Sequence, residues 1–301
     1  MVFLFTAVTS PFVVLFGPFN NVKRAVIGAI LQSRHPQYIT WLFSNDELQS
    51  ILGTVGVVKS QDLFKFNARE DKDLKLEKIE SSRYVGYVLE IPDPRRIQVA
   101  TAANIQEKGD TTSNIAKMNS AVAAINGGGF HDPNGTGTGR LPYGFILHEG
   151  DYIIGKDVGP DESVDFVGFS KSGNLIAGNY DKTELADMKA MEGITFGPPL
   201  IVDGKKMITD GDGGWGVGPR TAIGQRKDGT VLFVVIDGRQ PGYSLGATLR
   251  DVQDVLYEKG AYIAANLDGG SSSTLYLNGK VVNKPADLLG ERMIPTAFIV
   301  K

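Results

Sequence analysis

The sequence predicts an α+β fold, a single strand-rich catalytic domain with few helices. Three observations support this prediction. Glycine accounts for 37 of the 301 residues, or 12%, against an average of about 7% in proteins. This excess of glycine indicates many tight turns. From about Ser82 onward, short apolar runs are separated by Gly, Asp and Pro, as expected of successive strands. Only a few segments space their apolar residues as a helix does.

The first predicted element is a membrane-anchor helix over residues 1–22, which are uncharged and strongly apolar. Their length satisfies the roughly 20 residues that a membrane span requires. A cleavable signal peptide would need a basic n-region, which this stretch lacks, and a buried core helix is the other alternative. Lys23 and Arg24 follow, and the positive-inside rule would keep that side cytoplasmic. Charge alone therefore leaves the orientation open.

A helical and charged linker is predicted over residues 23–75. Apolar residues on one side of 23–33 indicate a short helix, and 45–47 indicate the start of a second helix. Residues 54–80 are polar and rich in charge, which is typical of a linker or a solvated face. The catalytic domain is then predicted over residues 76–301.

Strands dominate the predicted catalytic domain. The candidates, each bounded by turn-forming residues, are 84–91, 96–100, 121–126, 143–148, 164–169, 195–203, 220–225, 230–237, 261–267 and 294–300. Residues 275–282 are predicted to form a β-hairpin, because Asn278-Gly279 lies between apolar flanks. The predicted helices are 112–118, 182–191 and 248–259. Thr248 and Asp251 form a capping-box pattern at the start of the last helix.

Composition excludes several kinds of function. The formal net charge is −3 and there is no basic run with interleaved aromatics, so nucleic acid is not an expected partner. The absence of cysteine rules out disulfides, thiol nucleophiles and cysteine-ligated metals. The three histidines, His35, His131 and His148, argue against a three-histidine zinc site. In an enzyme, carboxylates would supply the acid–base groups.

Two apolar strands end in an aspartate that is followed by glycine. Asp268 ends one of them and precedes Gly269, Gly270 and the hydroxyl run 271–274, whereas Asp237 ends the other and precedes Gly238-Arg239. A charge at a strand end belongs at an accessible edge, because an unpaired buried carboxylate is costly. For either aspartate alone, an ordinary turn is the simpler reading. Together with Arg239 and the hydroxyls, the pair predicts a site for a polar, anionic substrate.

Several other candidate residues also have a purely structural explanation. Asn126 and Gly128 follow an apolar strand and could contact a ligand or simply end the strand in a glycine-rich turn. Arg220 could clamp a phosphate, or form a surface salt bridge. Residues 210–213 resemble the start of a calcium loop but lack its later bidentate acid. A divalent cation, calcium or magnesium, stays open as a cofactor, and no metal ligands are assigned.

Six ordered motifs in the predicted catalytic domain together resemble the phosphodiester glycosidase family, which includes N-acetylglucosamine-1-phosphodiester alpha-N-acetylglucosaminidases and bacterial exopolysaccharide biosynthesis proteins. The motifs are 126–130, 218–224, 237–239, 246–249, 267–274 and 290–292. The apolar N-terminal block resembles the membrane-anchored bacterial subgroup, which implies an extracytoplasmic catalytic domain. One departure is Ser271, where the family commonly has a third glycine; its side chain could narrow the pocket or add a contact.

The resemblance implies a hydrolase that cleaves the C1–O–P linkage of a sugar phosphodiester in a cell-surface or exopolysaccharide-type glycoconjugate. The residues it implies for catalysis are Asp268, Asp237 and Arg239. Those it implies for substrate binding are Asn126, Gly128, Arg220, Thr248, Ser272, Thr274 and Arg292. The division of roles between the two aspartates stays open. The alternative is a non-catalytic module that binds or transfers an anionic cell-envelope polymer.

Overall fold

The computed structural model describes residues 2–31, 37–44, 47–48, 51, 58–60, 63–67, 70–132, 137–156 and 158–301. The N-terminal helices are α1 (Val2–Phe16), α2 (Asn20–Leu31) and α3 (Gln37–Thr40). A small apolar cluster of its own holds this segment together, with Ile27, Ile39 and Leu48 buried. The predicted helix at 23–33 corresponds to α2. The second predicted linker helix falls largely outside the described residues.

The membrane anchor predicted over 1–22 is not found. The helical run is interrupted at Gly17 and Pro18, between α1 and α2. Helix α1 has 15 residues, which at about 1.5 Å per residue is shorter than the roughly 30 Å of a bilayer core. Among the described residues, none of the helices is both long enough and apolar enough to span a membrane.

Seventeen strands follow in the described part of the chain. In chain order they are β1 (Lys75–Glu80), β2 (Val85–Ile91), β3 (Ile97–Thr101), β4 (Ala123–Asn126), β5 (Ile146–His148), β6 (Asp151–Ile154), β7 (Val164–Ser170), β8 (Leu175–Tyr180), β9 (Ala190–Thr195), β10 (Pro199–Val202), β11 (Lys205–Lys206), β12 (Arg220–Arg226), β13 (Val231–Ile236), β14 (Ala261–Asn266), β15 (Leu275–Leu277), β16 (Lys280–Val281) and β17 (Thr296–Val300). The helices among them are α4 (Thr112–Met118), α5 (Lys182–Asp187) and α6 (Leu249–Glu258).

The described strands form three antiparallel sheets. The first has the order β1-β2-β13-β12-β14-β10-β11, the second β16-β15-β4-β17-β3, and the third β6-β5-β9-β7-β8. All three contribute to one central apolar core, which includes Phe233 of the first sheet, Phe298 of the second and Phe169 of the third. Successive residues of a strand point to opposite faces, so each sheet also has an outer face that must be covered.

A helix covers the outer face of each sheet. Leu249, Val252 and Leu256 of α6 pack with Leu232, Val234 and Ile236 of the first sheet. Ile115 of α4 packs on the second sheet, and Leu185 of α5 packs on the third. Strand β13 is therefore buried on both sides, which explains its uninterrupted apolar sequence.

Most of the predicted elements are confirmed, including the hairpin, in which Asn278 and Gly279 both have positive φ and join β15 to β16. The predicted helix 182–191 is wrong in its second half: α5 ends at Asp187, and β9 begins at Ala190. Because β9 pairs with both β5 and β7, ladder pairing outweighs the helical propensity of this segment. The strand predicted over 195–203 is β10 alone, preceded by the end of β9.

The antiparallel pairing brings several strand termini to one edge of the molecule. The start of β12 lies opposite the end of β13, with Arg220 paired to Ile236, and also near the end of β14, with Ala222 paired to Asn266. In the second sheet the end of β4 meets the start of β17. Residues that follow β4, β13 and β14, or precede β12 and β17, therefore converge.

Candidate active site

The loop that carries Asp268 is fixed from both sides by backbone hydrogen bonds. The Asp268 amide donates to the Gly127 carbonyl, 3.0 Å away, which ties the loop to the end of β4. The Gly270 amide donates to the Pro219 carbonyl at 2.9 Å, which ties it to the start of β12. The Asp268 side chain is held at the junction of the first and second sheets.

Asn126 is the centre of this junction. Its side chain is fully buried; the amide nitrogen donates to the Asp268 carbonyl at 2.6 Å. Its oxygen accepts from the Thr221 hydroxyl at 2.8 Å and from the Thr274 amide at 3.1 Å. These contacts engage both polar atoms of the side chain that was predicted to bind substrate. We therefore assign Asn126 a positioning role, in which it sets the backbone around Asp268.

Asp268 is partly accessible, yet protein atoms surround it closely. Burial is the largest effect and raises the pKa of its carboxyl to about 6, while the Ser272 hydroxyl and the charges of Arg292 and Arg239 oppose the rise. The carboxyl is therefore mostly ionised at neutral pH and becomes protonated slightly below it. A group with such a pKa is suited to proton transfer or nucleophilic attack near neutral pH.

The hydroxyl run after Asp268 contains buried polar atoms without protein partners. Ser273 Oγ and Thr274 Oγ1 are buried and find no hydrogen-bond partner among the described residues. The side-chain oxygen of Asn266, at the end of β14, is also buried and has no hydrogen-bond partner among the described residues. Because buried polar atoms are nearly always paired, these atoms are candidates for contact with a ligand or its bound water.

Arg239 brings positive charge directly over the loop. It is exposed and adopts φ of +58°, a backbone region that non-glycine residues seldom occupy and that is enriched at functional sites. A Cβ placed on Gly270 would lie 3.3 Å from Arg239 Nη1. The glycine therefore allows the guanidinium to approach the loop that carries Asp268.

Arg220 is held by backbone carbonyls instead of by a carboxylate. Its Nε donates to the Ala247 carbonyl at 3.0 Å, and its Nη2 donates to the carbonyls of Trp215 and Gly216 at 2.8 and 2.6 Å. Burial, followed by repulsion from Arg239, lowers its pKa to about 10. Arg220 remains charged at neutral pH, so it organises the 215–220 loop and adds positive potential behind it.

Arg292 supplies the third guanidinium. Its Nη2 donates to Asp132 Oδ2 at 3.2 Å, and its guanidinium carbon lies 4.8 Å from the centre of the Phe130 ring. Its Nε is buried and without a hydrogen-bond partner among the described residues. Since its charge acts on the pKa of Asp268, Arg292 belongs to the same site.

Asp237, predicted as a catalytic partner, is buried with its carboxylate occupied. Asn283 Nδ2 and the Lys284 amide donate to Oδ1 at 2.9 and 3.0 Å, and the Tyr243 hydroxyl donates to Oδ2 at 3.0 Å. Burial raises the pKa of Asp237, and these hydrogen bonds oppose the rise. Asn283 also donates to the Ser273 carbonyl at 3.0 Å. We therefore assign Asp237 a positioning role toward the hydroxyl run.

Thr248 and Gly128 are likewise engaged in structural contacts. The capping box predicted at Thr248 is confirmed: its hydroxyl contacts Asp251 Oδ2 at 2.7 Å and accepts from the Asp251 amide at 3.1 Å. The Gly128 amide donates to Thr296 Oγ1 at 3.0 Å, and an added Cβ would meet Ile194 Cδ1 at 3.3 Å. Gly128 thus permits close packing between the second and third sheets.

Sequence reasoning missed Tyr143 and Asp132. The pKa of Tyr143 is raised chiefly by burial and then by the charge of Asp268, and its ring centre lies 4.4 Å from that of His131. Asp132 is the ion-pair partner of Arg292. A signal for Asp132 existed, since it follows the glycine-rich end of β4. Tyr143 had no local signal, because it is held at the site by its amide, which donates to the Gly129 carbonyl at 3.1 Å in the loop after β4.

No metal ligands can be assigned in the described part of the chain. Among those residues, no group of three or more His, Asp or Glu side chains is placed to hold a metal ion. The 210–213 segment that resembled a calcium loop forms a local turn instead, with Asp212 Oδ1 accepting from the Gly214 amide at 2.9 Å.

This sheet edge combines an accessible carboxyl of near-neutral pKa with three guanidinium groups, the arrangement expected of a hydrolase for an anionic glycoside. The comparisons with known proteins identify the family. The phosphodiester glycosidase family model matches residues 119–301, more than half of the chain, and the chain belongs to that family.

Sequence relatives agree with this assignment. The SPbeta prophage-derived uncharacterized protein YomE of Bacillus subtilis is 32% identical over 197 residues, which cover 63% of this chain and 29% of that protein. The N-acetylglucosamine-1-phosphodiester alpha-N-acetylglucosaminidase of Bos taurus is 24% identical over 203 residues, covering 61% of this chain and 36% of the bovine protein. The matched part of the chain thus spans about a third of the length of these relatives.

Solved structures share the fold. The zebrafish N-acetylglucosamine-1-phosphodiester alpha-N-acetylglucosaminidase catalytic domain, auto-inhibited by its pro-peptide, superposes with a TM-score of 0.64 at 21% identity, covering 79% of this chain and 86% of that one. A hypothetical protein from Synechocystis has a TM-score of 0.56 at 17% identity, covering 76% of this chain and 62% of that one. At these identities the likeness shows the fold alone.

Proposed function

We propose that this chain hydrolyses the C1–O–P linkage of a sugar-1-phosphodiester, releasing the sugar and a phosphomonoester. The observation that carries the proposal is the partly accessible Asp268 carboxyl, whose pKa burial raises to about 6 and on which the charges of Arg292 and Arg239 act in the opposite direction. The carboxyl suits attack at the sugar carbon, and the guanidinium groups suit the phosphodiester. The names of the bovine and zebrafish relatives make N-acetylglucosamine the first sugar to test.

In the proposed mechanism, ionised Asp268 either removes a proton from the attacking water or attacks C1 itself. The C1–O bond breaks, and its electron pair leaves with the phosphate oxygen. Water supplies the new hydroxyl of the sugar. Because the departing phosphomonoester is a good leaving group, stabilising its charge matters more than protonating it. Arg239 and Arg292 are the groups placed for that stabilisation.

We further propose that the substrate is a cell-surface or exopolysaccharide-type glycoconjugate and that the domain acts outside the cytoplasm. The cationic site supports an anionic glycoconjugate. The open carboxylate favours hydrolysis over the alternative of a non-catalytic module for an anionic polymer, because simple binding of an anion would gain nothing from a negative charge beside the arginines.

The test uses the full chain and methyl α-N-acetylglucosaminyl phosphodiester, with release of free sugar as the readout. Wild-type protein is expected to release sugar, and Asp268→Asn is expected to lower kcat/KM by about 10³-fold. Asp151→Asn, at an exposed position on β6, is the matched control and is expected to retain activity. Binding without turnover by the wild type would support the binding-module alternative instead. Near-normal turnover by Asp268→Asn would refute the role of Asp268.

A further inference from the structure

Among the described residues, most of the exposed large apolar side chains form two groups, one in the N-terminal segment and one in the loops that carry or adjoin Asp268 and its arginines. Six of the large hydrophobic side chains that stay exposed lie in these loops. They are Leu141, Tyr143, Val217, Leu245, Leu288 and Leu289, and we refer to them as the apolar rim. Scattered exposed hydrophobic residues are normal, but a grouping around one site marks a binding surface.

The first part of the rim, Leu141 and Tyr143, adjoins the Asp268 carboxyl. The Leu141 carbonyl accepts from the His131 amide at 2.9 Å, and Leu141 has φ of +59°, a conformation that costs energy for a leucine. The charges of Asp268 and Arg292 both act on the pKa of Tyr143. This part of the rim therefore borders the carboxyl on the side of β4.

The second part, Val217 and Leu245, adjoins Arg239. Val217 precedes Gly218, where an added Cβ would lie 3.9 Å from Arg239 Nε. The Leu245 carbonyl accepts from the Arg239 amide at 3.1 Å. These two side chains are 41% and 52% exposed. Two loops with exposed aliphatic side chains thus adjoin Arg239.

The third part is the turn at 287–290, which projects Leu288 and Leu289 into solvent at 101% and 95% exposure. The turn is closed by the Gly290 amide, which donates to the Asp287 carbonyl at 3.0 Å, and Arg292 follows shortly after. On its other side, the Lys284 carbonyl accepts from Gln240, the residue after Arg239, at 2.8 Å. The turn that carries the two leucines therefore lies in the segment between Lys284, which is bound by Gln240, and Arg292.

We propose that the apolar rim binds an aliphatic aglycone, so that the phosphomonoester released from the sugar is an alkyl or lipid phosphate. The proposal rests on the function proposed above. An amphiphile of this kind carries its phosphodiester charge next to a hydrocarbon chain, which matches guanidinium groups adjoined by loops with exposed aliphatic side chains. Five of the six rim residues are aliphatic, which suits a flexible chain better than an aromatic base.

The test compares methyl, butyl and octyl α-N-acetylglucosaminyl phosphodiesters at concentrations where each is monomeric. Because burial of each methylene strengthens binding, kcat/KM is expected to rise about 10-fold from butyl to octyl with a partly buried chain. In Leu288→Ser/Leu289→Ser the octyl-to-methyl ratio is expected to fall several-fold. The control Leu76→Ser, at an exposed leucine on β1, is expected to retain both rates and their ratio.

The outcomes separate this inference from the proposed function. Cleavage of all three diesters at rates independent of chain length would overturn the aglycone site and leave the phosphodiester hydrolase intact. A preference for octyl that arises only with micelles or vesicles would assign the rim to a lipid surface and overturn the aglycone site. Absence of cleavage across the series would overturn both proposals together.

Discussion

At the residue scale, the site depends on one carboxyl whose environment disfavours its charge. Burial raises the pKa of Asp268 to about 6 even though Arg292, Arg239 and Ser272 act in the opposite direction. Ionising this carboxyl costs more free energy in the folded protein than in water, because the fold buries it. Both its chemistry and its effect on stability should follow from that pKa.

The pH dependence of hydrolysis tests the ionised form as the active one. Because protonated Asp268 can neither attack C1 nor accept a proton, we expect kcat/KM to rise as pH increases through about 6. The measurement is sugar release between pH 4.5 and 8, with circular dichroism to show that the protein stays folded over that range. A rate that falls through the same interval would make Asp268 a general acid instead.

The same pKa predicts a gain in stability for Asp268→Asn. The folded pKa is about 6 and the model-compound value is 3.8, so folding favours the protonated form. That contribution is complete below pH 3.8 and is lost as pH rises through 6. At neutral pH the variant is therefore expected to gain up to about 3 kcal/mol in free energy of unfolding relative to wild type.

Urea denaturation of both proteins at pH 4 and pH 7.5 measures this difference. Asp151→Asn serves as the matched control, because Asp151 is exposed and its charge is in water in both states. Equal differences between Asp268→Asn and wild type at the two pH values would contradict the raised pKa.

Part of the proposed site has a local signal in the sequence. Asp268 and Arg239 were predicted from strand-end motifs that contain glycine, whereas Arg292 was predicted only from the family resemblance of its motif. Asp237 has the same local pattern as Asp268, but its carboxylate accepts hydrogen bonds from Asn283, Lys284 and Tyr243. No spacing rule could show this, since Asn283 reaches Asp237 from 46 positions away.

At the element scale, α6 supports the site through its first turn. Thr248 caps the helix, and the carbonyl of the preceding Ala247 accepts from Arg220 Nε. Helix stability and the position of a buried guanidinium are therefore linked through two neighbouring residues. Fraying of this end would release both.

Thr248→Ala is expected to cost about 1 kcal/mol of free energy of unfolding, because the Asp251 amide loses its acceptor. It should also lower activity by loosening Arg220. Denaturant unfolding and kcat/KM are the two measurements, and Thr248→Ser, which keeps the hydroxyl, is the control expected to behave as wild type. Wild-type stability in Thr248→Ala would show that the cap is dispensable.

Elements with a clear local pattern were predictable, and those defined by their neighbours were not. Helix α6 has a cap, an apolar stripe and a glycine stop. Strand β9 follows directly on a helix, in a segment rich in Ala, Met, Lys and Glu, and only its pairing with β5 and β7 makes it a strand. Strand β1 is polar and mostly exposed, so its sequence lacks the apolar pattern that would predict a strand paired with β2.

At the scale of the whole molecule, three sheets depend on one core. Phe298 of the second sheet packs edge-on against Phe169 of the third, with ring centres 6.2 Å apart, and belongs to the same cluster as Phe233 of the first. Since each sheet buries one face in this cluster, we expect them to unfold together.

Phe298→Ala is expected to destabilise the protein by about 3–5 kcal/mol, because it leaves a cavity where two sheets meet. The control Ile153→Ala, at a position 40% exposed, should change the free energy of unfolding by less than about 0.5 kcal/mol. Thermal unfolding followed by near- and far-ultraviolet circular dichroism is the measurement. Separate transitions for the two signals would show that the sheets unfold independently.

The position of β17 has a consequence for how the protein is made. This strand lies inside the second sheet, between β3 and β4, although almost two hundred positions of chain separate it from β3. On the ribosome, β3 and β4 emerge long before the strand that joins them, with their inner edges open. Such long-range closure folds slowly and leaves strand edges available to other chains. The protein should therefore need chaperone protection during synthesis more than its stability once folded would suggest.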